Sequence, residues 1–134
     1  MNGLVLDASA AIEIACETEL GKKLFDVLDR FSPWWVPDLF HVEAAAGLRN
    51  LYVRKSLASD AADAALHRIL EMPLFIEKSL PSIPAAWSHK DNLTVQDSLY
   101  VLLASKLGFP LLTSDMRLSR SPNVGVMFLE VGDR

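Results

Sequence analysis

The sequence has few of the features that mark secreted and membrane proteins. It contains a single cysteine, Cys16, so no disulfide can form within the chain, which favours a reducing compartment. The longest apolar run, around residues 99–104, is far shorter than the ~18 residues that cross a bilayer, and Asp97 and Lys106 flank it. The stretch before Asp7 has no basic region of the kind that begins a secretory signal. We therefore expect a cytoplasmic protein with no membrane partner.

Positive charge is also scarce. The chain has 13 Lys and Arg residues against 17 Asp and Glu residues, which gives a formal net charge of −4. A protein that coats nucleic acid through a broad basic face normally carries a strong positive excess, so the composition argues against that class. It does not exclude a nuclease, because divalent cations held by acidic side chains reverse the local sign of charge at a site.

The size of the chain and its apolar content point to one compact unit. A chain of 134 residues is long enough for one sizeable hydrophobic core and too short for two, so we predict a single domain over residues 1–134. Apolar residues make up 51% of the sequence, which is high for a domain of this size. We expect some of that apolar surface to contact a partner.

Short apolar runs alternate with longer segments of helical periodicity. The pattern predicts strands at residues 3–6, 34–36, 74–76, 111–112 and 124–129. It predicts helices over 9–15, 20–31, from 37–38 to 55, 59–71, 81–89 and 94–107, with Ser59 or Asp60 capping the fourth and the sixth buried. Such alternation is typical of an α/β fold, in which helices cover both faces of a parallel sheet.

Four carboxylates occupy positions that this fold would bring together. Asp7 and Asp115 each follow a predicted strand, and ligands of open parallel sheets bind at the carboxyl ends of the strands. Asp97 shares a helical face with Tyr100 and other core residues. Glu43 lies in the first turns of its helix, and its neighbours at helical spacing are apolar or glycine. All four acids are therefore expected in apolar surroundings.

Acids gathered in this way repel one another unless cations or protons neutralise them. Mg²⁺ and Mn²⁺ prefer oxygen ligands, and Mg²⁺ keeps several bound waters while taking one or two carboxylates from the protein. Such ions activate an attacking water and stabilise the oxygen that departs from a phosphodiester. The four acids thus form a candidate metal site for phosphodiester hydrolysis that needs no nucleophilic side chain.

Three of the four acids also have a simpler structural interpretation. Asp97 stands three residues after Thr94, the spacing of a capping box. Asp7 and Asp115 could each be the N-cap of the helix that follows their strand. Glu43 has no such explanation, because it lies too far into its helix to cap it.

The order of these acidic segments resembles that of PIN-domain proteins. The segments are LVLDASA, HVEAAAGLRN, NLTVQDSLYVLLASKLG and FPLLTSDMRLSR, and together they span almost the whole chain. Within that family, the sequences of these segments are most similar to those of the VapC toxins of bacterial toxin–antitoxin systems. The resemblance implies a three-layer α/β/α fold with a central, mostly parallel sheet of about five strands. It also implies a Mg²⁺- or Mn²⁺-dependent endoribonuclease that acts on RNA, forms a homodimer and is inhibited by a small VapB-like antitoxin.

The resemblance also assigns roles to single residues. The family's acids fall, in chain order, on Asp7, Glu43, Asp97 and Asp115. Thr113 matches the hydroxyl residue two positions before the last acid, and Ser9 matches a small polar position near the site. On this basis Asp7, Asp97 and Asp115 hold the cation, while Glu43 is a further ligand or a base that positions water.

Two other functions compete with this interpretation. An aspartyl-phosphate phosphotransfer domain would need a second acid beside Asp7, where this chain has Ala8 and Ser9. A catalytically idle PIN fold that only binds an antitoxin or RNA would retain the acids as helix caps or cation ligands. The sequence disfavours the first alternative and leaves the second open.

Overall fold

Strands and helices alternate along the chain in the computed structural model, which describes residues 2–120 and 128–129. The strands are β1 (Leu4–Leu6), β2 (Trp34–Pro37), β3 (Leu74–Glu77) and β4 (Leu111–Leu112). The helices are α1 (Ala8–Ala15), α2 (Glu19–Leu28), α3 (Phe40–Val53), α4 (Ser59–Leu70), α5 (Ile83–Ser88), α6 (Val95–Leu107) and α7 (Met116–Ser119), and a 3-10 turn at Leu80–Ser82 precedes α5.

The four strands form one parallel sheet in the order β3-β2-β1-β4. Val5 pairs with Trp35 on one side and with Leu111 on the other, so β1 is central. Its three residues are fully buried, as expected for a strand covered on both faces. The parallel sheet is confirmed, and it has four strands within residues 2–120 and 128–129, against the prediction of about five. Leu111 also pairs with Phe128 in an isolated parallel bridge, but most of the predicted strand at residues 124–129 lies outside the described residues.

Helices flank this sheet and confirm the three-layer architecture. Helices α1 to α4 pack against one another, whereas α5 packs on α6, which contacts β1, β2 and β4. The largest fully buried side chains come from the strands and from both helical groups: Leu4, Leu6, Leu24, Phe40, Ile69, Tyr100 and Leu111. Within the part of the chain that the structure describes, no helix has the length and apolar character needed to cross a bilayer.

Helix α6 follows the sequence prediction closely. The Thr94 side chain accepts a hydrogen bond from the backbone N–H of Asp97 at its start, as an N-cap does. Gly108 ends it in the left-handed conformation, with φ of 69°, which glycine adopts without steric cost. Six residues of the helix are buried, including Tyr100, so its buried position is confirmed.

Some helix starts differ from the prediction. Helix α4 has no side-chain cap, because the residue at its N-cap position is Ala58, whose methyl group cannot accept a hydrogen bond. The predicted cap by Ser59 or Asp60 is therefore wrong, and Asp60 accepts a hydrogen bond from the amide of Ala61. Helix α3 begins at Phe40 rather than at residues 37–38. Asp38 accepts two hydrogen bonds from Ser79, from its hydroxyl at 2.5 Å and its amide at 3.2 Å, which ties the turn after β2 to the turn after β3.

Candidate active site

Asp7 lies at the carboxyl end of β1 and is only 7% exposed. It occupies the N-cap position of α1, but its side chain makes no capping hydrogen bond, so the simple capping interpretation is wrong for this residue. Instead, its Oδ2 accepts hydrogen bonds from the Ser9 hydroxyl at 2.8 Å and from the Thr113 hydroxyl at 2.5 Å. The carboxylate is therefore held between the ends of β1 and β4.

The turn after β4 is joined to the same hydroxyl groups. The backbone N–H of Asp115 donates to Thr113 Oγ1 at 2.9 Å, and the backbone N–H of Ser114 donates to Ser9 Oγ at 3.1 Å. The two hydroxyl oxygens, of Ser9 and Thr113, are 3.2 Å apart. Both predicted supporting residues thus contact the acidic positions directly and fix the turn that carries Asp115.

Asp115 is the N-cap of α7, as its capping interpretation predicted. Its Oδ1 accepts a hydrogen bond from the backbone N–H of Arg117 at 3.0 Å, and the guanidinium of Arg117 lies 3.4 Å from the same oxygen. The Arg117 side chain is 92% exposed, whereas that of Asp115 is 23% exposed. Capping and membership of the acidic site are therefore compatible roles for Asp115.

Glu43 and Asp97 extend from helices α3 and α6 toward this end of the sheet. Burial raises the pKa of Glu43, and the charges of Asp7 and Asp97 raise it further, while the hydrogen bond from Tyr100 acts in the opposite direction. Burial likewise raises the pKa of Asp97, and the charges of Asp7 and Asp115 add to that effect against the lowering influence of Thr94 and Arg117.

The four acids thus act on one another electrostatically. Burial raises the pKa of Asp7 as well, against the hydrogen bonds of Ser9 and Thr113, and the charge of Asp115 contributes to the rise. Three of the acids, Asp7, Asp97 and Asp115, each raise the pKa of at least one other acid of the set, and the pKa of Glu43 is raised by two of them. The structure therefore brings all four predicted site residues together at the carboxyl edge of the sheet. We call Asp7, Glu43, Asp97 and Asp115 the acidic cluster.

The acidic cluster suits a hydrated divalent cation in its chemistry. Its ligand atoms are carboxylate oxygens, which Mg²⁺ and Mn²⁺ prefer, and its crowded negative charge favours a cation. In residues 2–120 and 128–129, no three His, Cys, Asp or Glu side chains are arranged to hold one ion directly.

Tyr100 is a component of the site that sequence reasoning placed only in the core. Its hydroxyl donates a hydrogen bond to Glu43 Oε1 at 2.8 Å. The sequence places Tyr100 one helical turn after Asp97, on the face expected to be buried. A buried phenol needs a hydrogen-bond partner, so this position indicates a polar contact near the acids. The sequence does not identify Glu43 as that partner, because Glu43 lies 57 residues earlier in the chain.

A separate groove of about 420 Å³ lies where α1, α2 and α4 meet. Its lining is mainly apolar and includes Ile14, Phe25 and Met72, with Arg68 at one side. Arg68 donates a hydrogen bond to the backbone oxygen of Ala15 at the end of α1. None of the four acids lines this groove, so it is distinct from the acidic cluster.

The fold and the acidic cluster agree with a comparison of the chain against known protein families. The model of the PIN domain family matches residues 4–123. The chain therefore belongs to the PIN domain family.

Within that family the chain is similar to VapC ribonucleases of mycobacteria. It is 33% identical to Ribonuclease VapC12 of Mycobacterium tuberculosis, over 88% of this chain and 91% of the relative. It is 30% identical to Ribonuclease VapC1 of the same organism, over 92% and 94%. The VapC ribonuclease Mb0985 of Mycobacterium bovis is 31% identical, over 87% and 88%.

A solved structure supports the fold independently. The crystal structure of PAE2754 from Pyrobaculum aerophilum superposes with a TM-score of 0.67 and covers 95% of this chain and 83% of that one. The two sequences are 20% identical, so this likeness concerns the fold alone.

Proposed function

We propose that the protein is an endoribonuclease that hydrolyses RNA phosphodiester bonds with Mg²⁺ or Mn²⁺ at Asp7, Glu43, Asp97 and Asp115. The observation that carries the proposal is the convergence of these four acids at one edge of the sheet, where burial and the charges of neighbouring acids raise the pKa values of Asp7, Glu43 and Asp97. Membership of the PIN domain family and relatives named as ribonucleases support the choice of reaction.

In this proposal Asp7, Asp97 and Asp115 hold the cation directly or through its bound waters. Glu43 is a further ligand or the base that positions the attacking water. A bound divalent ion lowers the pKa of its water and stabilises the departing oxygen of the phosphodiester. The hydroxyl groups of Ser9 and Thr113 keep the Asp7 carboxylate in one orientation, through the bonds described above.

Cleavage assays on a panel of tRNAs and mRNAs test the reaction. We expect cutting with Mg²⁺ or Mn²⁺ and none with chelator, and Asp7→Asn or Asp97→Asn should each lower kcat by about 100-fold, because each removes a charge that holds the cation. Asp63→Asn, which changes an exposed acid on α4, is the matched control and should cut normally. Cutting that persists in chelator or in both variants would contradict the metal-site proposal. RNA that is bound but never cut would instead identify an idle binding module.

We propose further that the protein is the toxin of a VapBC-type pair, neutralised by a VapB-like antitoxin. Its similarity to the VapC ribonucleases supports this role. The antitoxin should be encoded beside this protein as a small reading frame with a DNA-binding N-terminus and an apolar C-terminal tail. Expression of the toxin alone should stop growth, and co-expression of the neighbour should restore it. Unhindered growth together with no such neighbour would count against the toxin role.

We also propose that the protein acts in the cytoplasm as a homodimer. Several large apolar side chains on its surface could be covered by a second copy, and they include Val42, Leu70, Phe75, Leu80 and Trp87. Light scattering coupled to gel filtration tests the assembly. A mass of one chain, about 14.8 kDa, at micromolar concentration would contradict the homodimer.

A further inference from the structure

Tyr100 is a buried residue whose hydroxyl group is not explained by packing. Its side chain is 1% exposed, and the only other tyrosine of the chain, Tyr52, lies 49% exposed at the end of α3. Phenylalanine would fill the same volume without placing a polar atom in the core, which is costly unless the atom has a partner. The hydroxyl of Tyr100 has such a partner in Glu43. The group therefore carries a specific interaction with the acidic cluster.

This hydrogen bond joins two of the helices that carry acids. Tyr100 belongs to α6, one turn after Asp97, and Glu43 belongs to α3. An unperturbed phenol has a pKa of ~10, so at neutral pH Tyr100 carries its proton and is the donor in this bond. The bond to Glu43 Oε1, at 2.8 Å, commits one of the two carboxylate oxygens and leaves the other available.

We propose that Tyr100 is a positioning residue, whose hydroxyl fixes Glu43 Oε1 so that Oε2 is directed to the cation or its bound water. This inference rests on the proposed function, because it requires Glu43 to act on a metal-bound species. A glutamate side chain has several rotamers, and a donor at one oxygen selects among them. Partners that orient metal ligands in this way typically change metal affinity or activity by about 10- to 100-fold when they are removed.

The first test compares Tyr100→Phe with the matched control Tyr52→Phe. Both variants remove one phenol hydroxyl, but only the first removes a donor to the acidic cluster. We expect Tyr100→Phe to weaken Mn²⁺ binding, measured by electron paramagnetic resonance of the free ion, and to lower kcat, each by about 10-fold or more. KM for RNA should stay within twofold, because Tyr100 does not contact substrate in this proposal. Tyr52→Phe should match the wild type, and wild-type Mn²⁺ binding in Tyr100→Phe would overturn the proposal.

A double-mutant cycle separates positioning from packing. If Tyr100 acts through Glu43, then Tyr100→Phe added to Glu43→Gln should cause no further loss of Mn²⁺ affinity or kcat. Losses that multiply in the double variant would overturn the proposal, because they would show that Tyr100 contributes independently of Glu43. Each arm is interpreted on proteins whose thermal unfolding shows one cooperative transition.

A measurement on unaltered Tyr100 covers the case in which Tyr100→Phe does not fold. With ¹³C-labelled tyrosine, the wild type gives signals from two residues, and Tyr52→Phe leaves only those of Tyr100. Substoichiometric Mn²⁺ should broaden the Tyr100 ring signals strongly. Sharp Tyr100 signals in protein that binds Mn²⁺ would overturn the proposal. If the wild type binds Mn²⁺ yet cuts no RNA, the nuclease proposal fails while the Mn²⁺ measurements still decide the role of Tyr100.

Discussion

The hydroxyl of Thr113 donates a hydrogen bond to Asp7 across a separation of 106 residues, with its oxygen 2.5 Å from Asp7 Oδ2. The same oxygen accepts the backbone N–H of Asp115 at 2.9 Å. One buried hydroxyl thus sets the positions of two acids that lie at the ends of neighbouring strands. This relationship makes Thr113 the most informative residue at which to alter the acidic cluster without changing its charge.

Thr113→Val should lower both activity and stability. Valine has the same shape but cannot donate to Asp7 or accept from Asp115, so a buried carboxylate and an amide each lose a partner. We expect a fall of about 1–3 kcal/mol in the free energy of unfolding, measured in urea, and a fall of about 10-fold or more in kcat. Thr113→Ser keeps the hydroxyl and should retain most of the activity. Equal losses in the two variants would contradict this account, because Thr113→Ser loses only the methyl group and keeps the hydroxyl.

Stability without metal should fall as the pH rises. The pKa values of Asp7, Glu43 and Asp97 are raised above their ordinary values of 3.8, 4.5 and 3.8, so over the window between ordinary and raised values the folded state holds protons that the unfolded chain has released. The free energy of unfolding therefore declines through that window and stays lower above it. Asp38 has a lowered pKa, so its contribution changes below pH 3.8 and not in this window.

Urea unfolding in chelator from pH 4 upward measures this decline. Asp7→Asn should flatten the decline and raise stability above the window by on the order of 1 kcal/mol, because it removes a buried negative charge. Excess Mg²⁺ should have a similar effect on the wild type, since an ion that binds only the folded state stabilises it. Asp63→Asn should leave the profile unchanged, since Asp63 is exposed. A wild-type profile that is flat or rises with pH would contradict this account.

Much of the architecture could be predicted from local patterns. The short apolar run of β1 predicted a buried strand, and the structure buries it fully. The apolar segment that ends at Gly108 predicted the buried helix α6. The start of α3 was predicted at residues 37–38, but the helix begins at Phe40, and Asp38 is hydrogen-bonded to Ser79, 41 residues away, which no local pattern records. The predicted cap of α4 also rested on a local pattern, and Asp60 instead accepts a hydrogen bond from the adjacent amide of Ala61.

The sequence could predict which four acids form the acidic cluster, but it could not predict the hydrogen bonds that hold them. Asp7 and Asp115 follow neighbouring parallel strands, and topology alone brings such positions to one edge. The hydrogen bond from Tyr100 to Glu43 depends on how α3 and α6 are placed relative to each other. The two residues are 57 positions apart in the sequence, so no local pattern indicates this bond. The choice between capping and site roles also needed the structure, since the Asp7 side chain does not cap α1 whereas that of Asp115 caps α7.

Gly21→Ala should destabilise the contact between α1 and α2. A Cβ atom at position 21 would lie 1.9 Å from the backbone oxygen of Glu13, and backbone cannot move aside as a flexible side chain can. We expect a loss of about 2–4 kcal/mol, measured by chemical unfolding. Gly108→Ala is the comparison, because its added Cβ meets nothing within 4 Å and only the left-handed backbone is strained, at about 1–2 kcal/mol. A smaller loss at position 21 than at 108 would contradict the close packing of these helices.

Asp115 combines two roles that substitution can separate. Its side chain caps α7 by accepting the Arg117 amide, and its charge raises the pKa values of Asp7 and Asp97. Asparagine caps helices as well as aspartate does, whereas alanine does not. Asp115→Asn should therefore keep or slightly raise stability without metal while it weakens Mn²⁺ binding and cleavage. Asp115→Ala should lose both functions, with about 1 kcal/mol less stability than Asp115→Asn in urea unfolding. If Asp115→Asn instead cuts RNA at the wild-type rate, Asp115 is a helix cap alone, and the cation depends on the other three acids.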